Sequence, residues 1–128
     1  MIFGIGTDIV SVARIADVLD RYGDHFKHRV LVDNEARDCA ASSHPARFLA
    51  KRFAAKEAFS KAFGTGIGAE VGWHDLQVGH DARGKPLIQV TAALQARLSL
   101  HNITAIHLSL SDETDYAQAF VVLESHST

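Results

Sequence analysis

The sequence predicts an α+β domain in which an antiparallel sheet packs on one long central helix. Segment 47–63 contains five alanines and no interior glycine or proline, which favours a helix. Runs rich in β-branched residues near both ends of the chain predict strands. The 128 residues, of which 47 % are hydrophobic, fit one compact unit, and we expect residues 1–128 to form a single domain.

The first predicted elements are a strand and a helix. Ile2–Val10 is rich in β-branched residues and predicts the strand. Ser11 can cap a helix that begins at Val12 and that Gly23 ends. The apolar positions of this helix recur at the helical period, at Val12, Ile15, Ala16 and Leu19.

The central helix follows a less defined region. Segment 25–31 predicts no definite element, and a second helical stretch begins at Asp33 and runs to about Ala41. Pro45 suits the first position of a helix. The apolar side chains of the central helix form a broad face, which indicates that much of this helix is buried. They are Phe48, Leu49, Phe53, Ala55, Phe59 and Ala62.

The second half of the chain predicts a hairpin, a short helix and two strands. Leu76–Gly79 and Leu87–Val90 flank the turn-forming segment 81–86, which predicts the hairpin. Thr91 can cap a short helix that Asn102 closes. The last two predicted strands are Ile103–Leu110 and Tyr116–Leu123.

Composition argues against several classes of function. The formal net charge of −2 argues against a nucleic-acid binder. The apolar run 2–10 is too short to span a bilayer, so we expect no membrane segment. Cys39 is the only cysteine, which rules out an intrachain disulfide and favours a reducing compartment. We therefore expect a cytoplasmic protein.

Positive charge is concentrated on the central helix, which has five basic residues, one acid and a net charge of +4. The basic residues are Arg47, Lys51, Arg52, Lys56 and Lys61. Such a pattern is typical of a solvated helix face. This helix, however, is too apolar to expose every charge, and it leads into the glycine-rich segment 64–68. Cations beside flexible backbone amides also suit phosphate groups.

Two acidic residues are candidates for a metal site. Asp8 lies in an apolar strand, where a carboxylate is costly unless it is paired or metal-bound; it could also point to solvent or cap the following helix. Glu57 and Lys61 share a helix face and form either a surface ion pair or a metal ligand beside a phosphate-binding lysine. Together, Asp8 and Glu57 would offer the oxygen ligands that Mg²⁺ prefers.

Two further features carry little signal by themselves. Segment 64–68 matches neither a P-loop nor a dinucleotide fingerprint, and by itself it favours a helix cap and turn. The eight histidines show no metal-ligand spacing.

Four segments stand out together, in the order Met1–Val10, 52–68, Gly84–Pro86 and His107–Ser111. The second of them runs Arg-Phe-Ala-Ala-Lys-Glu-Ala-Phe-Ser-Lys-Ala-Phe-Gly-Thr-Gly-Ile-Gly. In residues, order and spacing, they resemble the motifs of the holo-[acyl-carrier-protein] synthases, the small bacterial type of 4'-phosphopantetheinyl transferase. The resemblance extends over nearly the whole chain.

The resemblance implies an activity and a set of site residues. The implied reaction is a Mg²⁺-dependent transfer of 4'-phosphopantetheine from coenzyme A to a serine of apo-acyl carrier protein, which releases 3',5'-ADP and serves fatty acid biosynthesis. Asp8 and Glu57 match the metal ligands, and Lys61 matches a lysine near the reacting phosphate. Arg14 matches a position that meets the acidic carrier protein, and Arg29 is assigned to the same contact. The positions in regions that bind coenzyme A are Arg52, Lys56, Gly64, Thr65, Gly66, Gly84, Lys85, Pro86 and His107.

The resemblance also implies the α+β 4'-phosphopantetheinyl transferase fold, commonly as a homotrimer with active sites between subunits. The chain departs from the family at two positions. Asp112 stands where relatives often have a histidine, so no role of that histidine is carried over, and His25 stands where relatives can have an arginine.

Several alternatives stay open at the level of the sequence. The proton of the attacking serine has three candidate acceptors, which are Glu57, Lys61 and a metal-bound hydroxide. A coenzyme A-dependent acyltransferase would share a cationic phosphate site but need no metal. A coenzyme A- or nucleotide-binding module would bind its ligand and release no 3',5'-ADP.

Overall fold

The computed structural model describes residues 1–126 and confirms the α+β class. In chain order its elements are β1 (Ile2–Ser11), α1 (Val12–Tyr22), α2 (Asp24–Val30), α3 (Asp33–Ala41), α4 (Pro45–Phe63), a 3₁₀ turn (Trp73–Asp75), β2 (Leu76–His80), β3 (Pro86–Val90), α5 (Ala92–Leu100), β4 (Ile103–Asp112) and β5 (Tyr116–Ser125). Each element that the sequence predicts is present, and α2 occupies the segment without a definite prediction. Within residues 1–126, no helix has the length and apolar character needed to cross a membrane.

The strands form two antiparallel sheets. β5 lies between β1 and β4 in a three-stranded sheet, and β2 pairs with β3 as a separate hairpin. The sequence predicts the strands themselves, but it predicts one sheet where the structure has two. Local patterns carry no information about which distant strands pair.

α4 is the central buried helix, as its composition predicts. Pro45 begins its first turn, and Gly64, with φ +101°, ends it by donating its amide to the Ser60 carbonyl at 3.0 Å. Its first half packs with α1, α2 and α3, and its second half packs with β5, α5 and the hairpin. Its fully buried apolar residues are Leu49, Ala50, Ala54, Ala55, Ala58 and Phe59.

β1 lies in direct backbone contact with α4 because two of its residues have no side chain. A Cβ atom at Gly6 would lie 2.0 Å from the Ala58 carbonyl oxygen, and one at Gly4 would lie 2.0 Å from that of Ala62. Alternate residues of a strand point to the same face, so Asp8 points toward α4 like the two glycines. The close approach therefore brings Asp8 onto α4.

Replacing Gly6 with alanine should destabilise the protein by about 1–3 kcal/mol, the range for overpacked cores, because β1 must move away from α4. Chemical denaturation would measure the free energy of unfolding. Gly79→Ala is the matched control, since no atom lies within 4 Å of a Cβ there, and it should gain about 0.5 kcal/mol. Equal stabilities for the two variants would show that β1 does not need the close approach.

Candidate active site

One cavity of about 360 Å³ brings together four residues that the sequence predicts as site residues. Asp8 from β1, Arg14 from α1, and Glu57 and Lys61 from α4 all line it. We call this space the α1–α4 cavity. The rest of its lining is apolar and consists of Ile9, Val10, Ile15, Val18, Phe26 and Phe53.

Asp8 is held by Lys61. The Lys61 Nζ donates to Asp8 Oδ1 and to the Thr7 carbonyl oxygen, each at 3.1 Å. The other carboxylate oxygen of Asp8, Oδ2, is buried and has no hydrogen-bond partner within residues 1–126. Asp8 therefore does not point freely to solvent, and Ser11 rather than Asp8 caps α1. A buried carboxylate oxygen without a partner is costly, so a cation fits beside it.

Glu57 is close enough to Asp8 to respond to its charge. Burial raises the pKa of the Glu57 carboxyl, the negative charge of Asp8 raises it further, and Lys61 lowers it. Among the ion pairs of residues 1–126, Lys61 pairs with Asp8 and not with Glu57. The simple helix-face ion pair that the spacing allows is thus not formed. Two carboxylates in one cavity repel each other, and a bound cation relieves that repulsion.

The donor set of the α1–α4 cavity fits Mg²⁺. This ion commonly takes one or two protein carboxylates and completes its octahedron with waters and substrate phosphate oxygens. The described part of the chain contains no cluster of three or more His, Cys, Asp or Glu residues that could hold a metal by themselves. Asp8 and Glu57 therefore suit a Mg²⁺ ion that binds together with a phosphate substrate.

Lys56 lies in the interior. Its side chain is fully buried, and its Nζ donates to the Val30 carbonyl at 2.7 Å, the Trp73 carbonyl at 2.9 Å and Glu35 Oε1 at 2.7 Å. All three ammonium protons are therefore used inside the protein. In this conformation no N–H group of Lys56 is left to donate to a phosphate of coenzyme A.

Arg52 is also nearly buried, with 4 % of its surface exposed. Its Nε lies 3.5 Å from Glu35 Oε2, and its guanidinium group lies 4.4 Å above the Phe48 ring. Burial lowers the pKa of Arg52 and of Lys56, and the Glu35 carboxylate opposes that effect at both. Nothing in the sequence indicates this role of Glu35. Its place three residues after Val32 is typical of a helix start and does not reveal partners from α4.

The glycine-rich segment after α4 acts as a helix cap. The amides of Gly64, Thr65 and Gly66 all donate to the Ser60 carbonyl, at 3.0, 3.2 and 3.2 Å. Gly64 and Gly66 adopt φ values of +101° and +71°, which favour glycine. In this conformation the three amides are turned inward and are not free to bind phosphate.

The other residues with predicted roles lie outside the cavity. His107 lies on the sheet face turned away from α4, with its Nε2 2.8 Å from Glu124 Oε1. Gly84 and Lys85 form the exposed hairpin tip before Pro86, where Asp81 Oδ1 accepts the Lys85 amide at 2.9 Å. Arg29 is exposed on α2. These positions do not converge with the α1–α4 cavity within one chain.

Comparison with known proteins identifies the family. Residues 4–121 match the family model of the 4'-phosphopantetheinyl transferase superfamily. The chain belongs to this superfamily. A holo-[acyl-carrier-protein] synthase from Azoarcus sp. (strain BH72) is 53 % identical over 125 residues, which cover 98 % of this chain and 99 % of the relative.

Solved structures of the 4'-phosphopantetheinyl transferase superfamily have the same fold. The crystal structure of holo-[acyl-carrier-protein] synthase from Neisseria meningitidis matches with a TM-score of 0.94 and 46 % identity, over 98 % of this chain and 100 % of the other. The corresponding protein from Bacillus anthracis, in complex with CoA (3',5'-ADP), matches with a TM-score of 0.82 and 42 % identity, over 98 % and 99 %. The matched segment 4–121 of this superfamily member contains every residue that lines the α1–α4 cavity.

Proposed function

We propose that this chain is a holo-[acyl-carrier-protein] synthase. It transfers the 4'-phosphopantetheine group of coenzyme A to a serine of apo-acyl carrier protein, giving holo-acyl carrier protein and 3',5'-ADP for fatty acid biosynthesis. The observation that carries the proposal is the meeting of Asp8, Glu57 and Lys61 in the α1–α4 cavity. The names of the relatives and the coenzyme A complex from Bacillus anthracis support it. A cytoplasmic location agrees with the single free cysteine, Cys39.

The reacting phosphorus of coenzyme A belongs to a pyrophosphate diester, whose negative oxygens repel a nucleophile. Asp8 and Glu57 would hold Mg²⁺, which when bound supplies positive charge beside these oxygens. Lys61, held at 3.1 Å from Asp8, adds a second cation to the same cavity. Such a site promotes phosphoryl transfer mainly through positioning and electrostatics.

Arg14 supports an approach of the carrier serine to the phosphate from the side of α1. Arg14 is exposed on this helix and lines the cavity together with the two carboxylates. Acyl carrier protein is typically acidic, and a cation at the mouth of the cavity would attract and orient it. Arg29, exposed on the neighbouring α2, would add to the same field.

We also propose a homotrimer with active sites between subunits. The sheet face turned away from α4 exposes large apolar side chains, with Ile5 at 60 % and Phe120 at 44 % of their surface. Exposed apolar patches of this kind mark protein contacts. His107 lies on the same face. In the trimer, this predicted coenzyme A contact would lie near the α1–α4 cavity of a neighbouring subunit, although it does not reach the cavity of its own chain.

Incubation with coenzyme A, apo-acyl carrier protein and Mg²⁺ should add one phosphopantetheine to the carrier, as intact-mass spectrometry would show. EDTA should abolish the gain, and so should Asp8→Ala and Glu57→Ala, because each removes one carboxylate from the proposed metal site. An unchanged carrier mass with the folded wild-type protein, together with no 3',5'-ADP release for several carriers, would contradict the proposal. Activity that survives EDTA would favour a metal-independent transferase.

Reversing the charge of Arg14 should weaken carrier binding selectively. In Arg14→Glu we expect the KM for the carrier to rise about tenfold or more, since like charges at an interface repel. The KM for coenzyme A should stay within about twofold of the wild-type value. Arg37→Glu, on the exposed face of α3, makes the same change in net charge and should alter neither constant. If Arg14→Glu raised the KM for coenzyme A while Arg37→Glu did not, the assignment of Arg14 to the carrier contact would be contradicted.

Placing a charge on the outer sheet face should break the trimer. Wild-type protein should elute at three times the chain mass of 13.9 kDa in size-exclusion chromatography with light scattering. Ile5→Glu should shift it to monomer, because the carboxylate would be buried in the contact without a partner. Leu100→Glu is the matched control, since Leu100 is 82 % exposed on α5, away from this face. A trimer that persists in Ile5→Glu would place the subunit contact elsewhere.

A further inference from the structure

Two buried cations share one buried anion at the inner side of α4. Glu35 is 1 % exposed, and its carboxylate accepts hydrogen bonds from Lys56 at 2.7 Å and from the Val32 and Val78 amides at 3.1 and 2.9 Å. Arg52 lies 3.5 Å from the same carboxylate. The cluster is fully enclosed, so it is not a ligand site in this conformation.

The hydrogen bonds of this cluster join segments that are distant in the chain. Lys56 donates hydrogen bonds to the Val30 carbonyl, at the end of α2, and to the Trp73 carbonyl, in the 3₁₀ turn. Glu35 holds the first turn of α3 and the Val78 amide of β2. One lysine and one glutamate therefore fix α2, α3, the 3₁₀ turn and β2 relative to α4.

Two of these segments, α2 and α4, contribute aromatic side chains to the lining of the α1–α4 cavity. Phe26 of α2 and Phe53 of α4 both line the cavity, and their rings lie 6.3 Å apart. The Trp73 ring also packs against Phe53, at 5.0 Å. Lys56 directly precedes Glu57 in α4. The contacts of Lys56 thus set the position of the aromatic wall relative to the carboxylates.

Stability alone does not require charged groups here. Removing charges from water is costly, and apolar residues of similar volume in place of a buried ion pair are often neutral or stabilising. The hydrogen bonds of an ammonium group and a carboxylate have defined directions, which apolar contacts lack. The charged pair therefore supplies geometric precision at this point of the fold.

We infer that Lys56 and Glu35 are positioning residues for the transfer reaction: they hold the wall formed by Phe26, Phe53 and Trp73 against the turn of α4 that carries Glu57. This inference rests on the proposed function. Catalysis that depends on positioning is sensitive to displacements of the order of an ångström.

The test variant is Lys56→Met, which keeps the length and apolar stem of the side chain but removes its three donors. Arg52 remains beside Glu35, so the carboxylate keeps a counter-ion. We expect kcat to fall about tenfold or more, in line with the cost of misplaced groups, while the KM for coenzyme A changes by less than about threefold. Trp73 is the only tryptophan in the chain, so its emission spectrum reports directly on the wall and should shift in this variant.

The matched control is Leu94→Ala, which opens a hole under α5, where Leu94 is fully buried away from the wall. At a temperature at which both variants are folded, Leu94→Ala should keep the wild-type kcat and Trp73 emission. If Lys56→Met does not fold, Glu35→Asp replaces it, because it retains the charge and withdraws the carboxylate by one methylene.

Wild-type kcat and emission in the folded test variant would overturn the inference. A large rise in the KM for coenzyme A with unchanged kcat and emission would also overturn it and show a ligand contact instead. If wild-type protein itself transfers nothing, the proposed function fails, while the Trp73 spectra still decide whether Lys56 positions the wall.

Discussion

The contact between the backbones of β1 and α4 is the constraint on which the rest of the structure depends. It exists because Gly4 and Gly6 leave no side chain between strand and helix. Strand alternation then determines both faces of β1. Asp8 follows the glycines toward α4 and meets Lys61, while Ile5 is turned outward and stays exposed. The carboxylate proposed to bind the metal and the proposed subunit contact are consequences of the same packing.

The charges of α4 divide into two groups with different roles. Consecutive residues of a helix differ by about 100° in direction, so Lys56 and Glu57 face different surroundings although they are neighbours. Lys61 and Glu57 face the α1–α4 cavity, whereas Lys56 and Arg52 face Glu35 in the interior. The net charge of +4 on this helix is therefore not one phosphate-binding surface. Part of this charge is paired with Glu35 inside the protein, and the pairing holds neighbouring segments in place.

Much of the fold follows from local signals, and much of the candidate site does not. Pro45 and Gly64 mark the ends of α4, and Ser11 caps α1, because capping depends on a few neighbouring residues. The pairing of Glu35 with Lys56, 21 residues apart, depends on tertiary packing, and nothing in the sequence distinguishes Lys56 from a surface lysine. The order of β1, β5 and β4 is likewise set by contacts between distant segments. The glycines after α4 form the helix cap that their local sequence favours, and the amides of Gly64, Thr65 and Gly66 donate to one carbonyl.

Thr7 shows how assembly and chemistry are linked in the proposed trimer. Its carbonyl oxygen accepts a hydrogen bond from Lys61 at 3.1 Å, on the side of the cavity. Its residue partner across the sheet is Phe120, whose ring is exposed on the outer face. A subunit packed on that face would hold the backbone of β1 from the outside, while Lys61 holds it from the inside. Because Asp8 is the next residue, its carboxylate would be fixed between these two contacts. Loss of the outer contact would then loosen the proposed metal site without any change to the residues proposed to bind the metal.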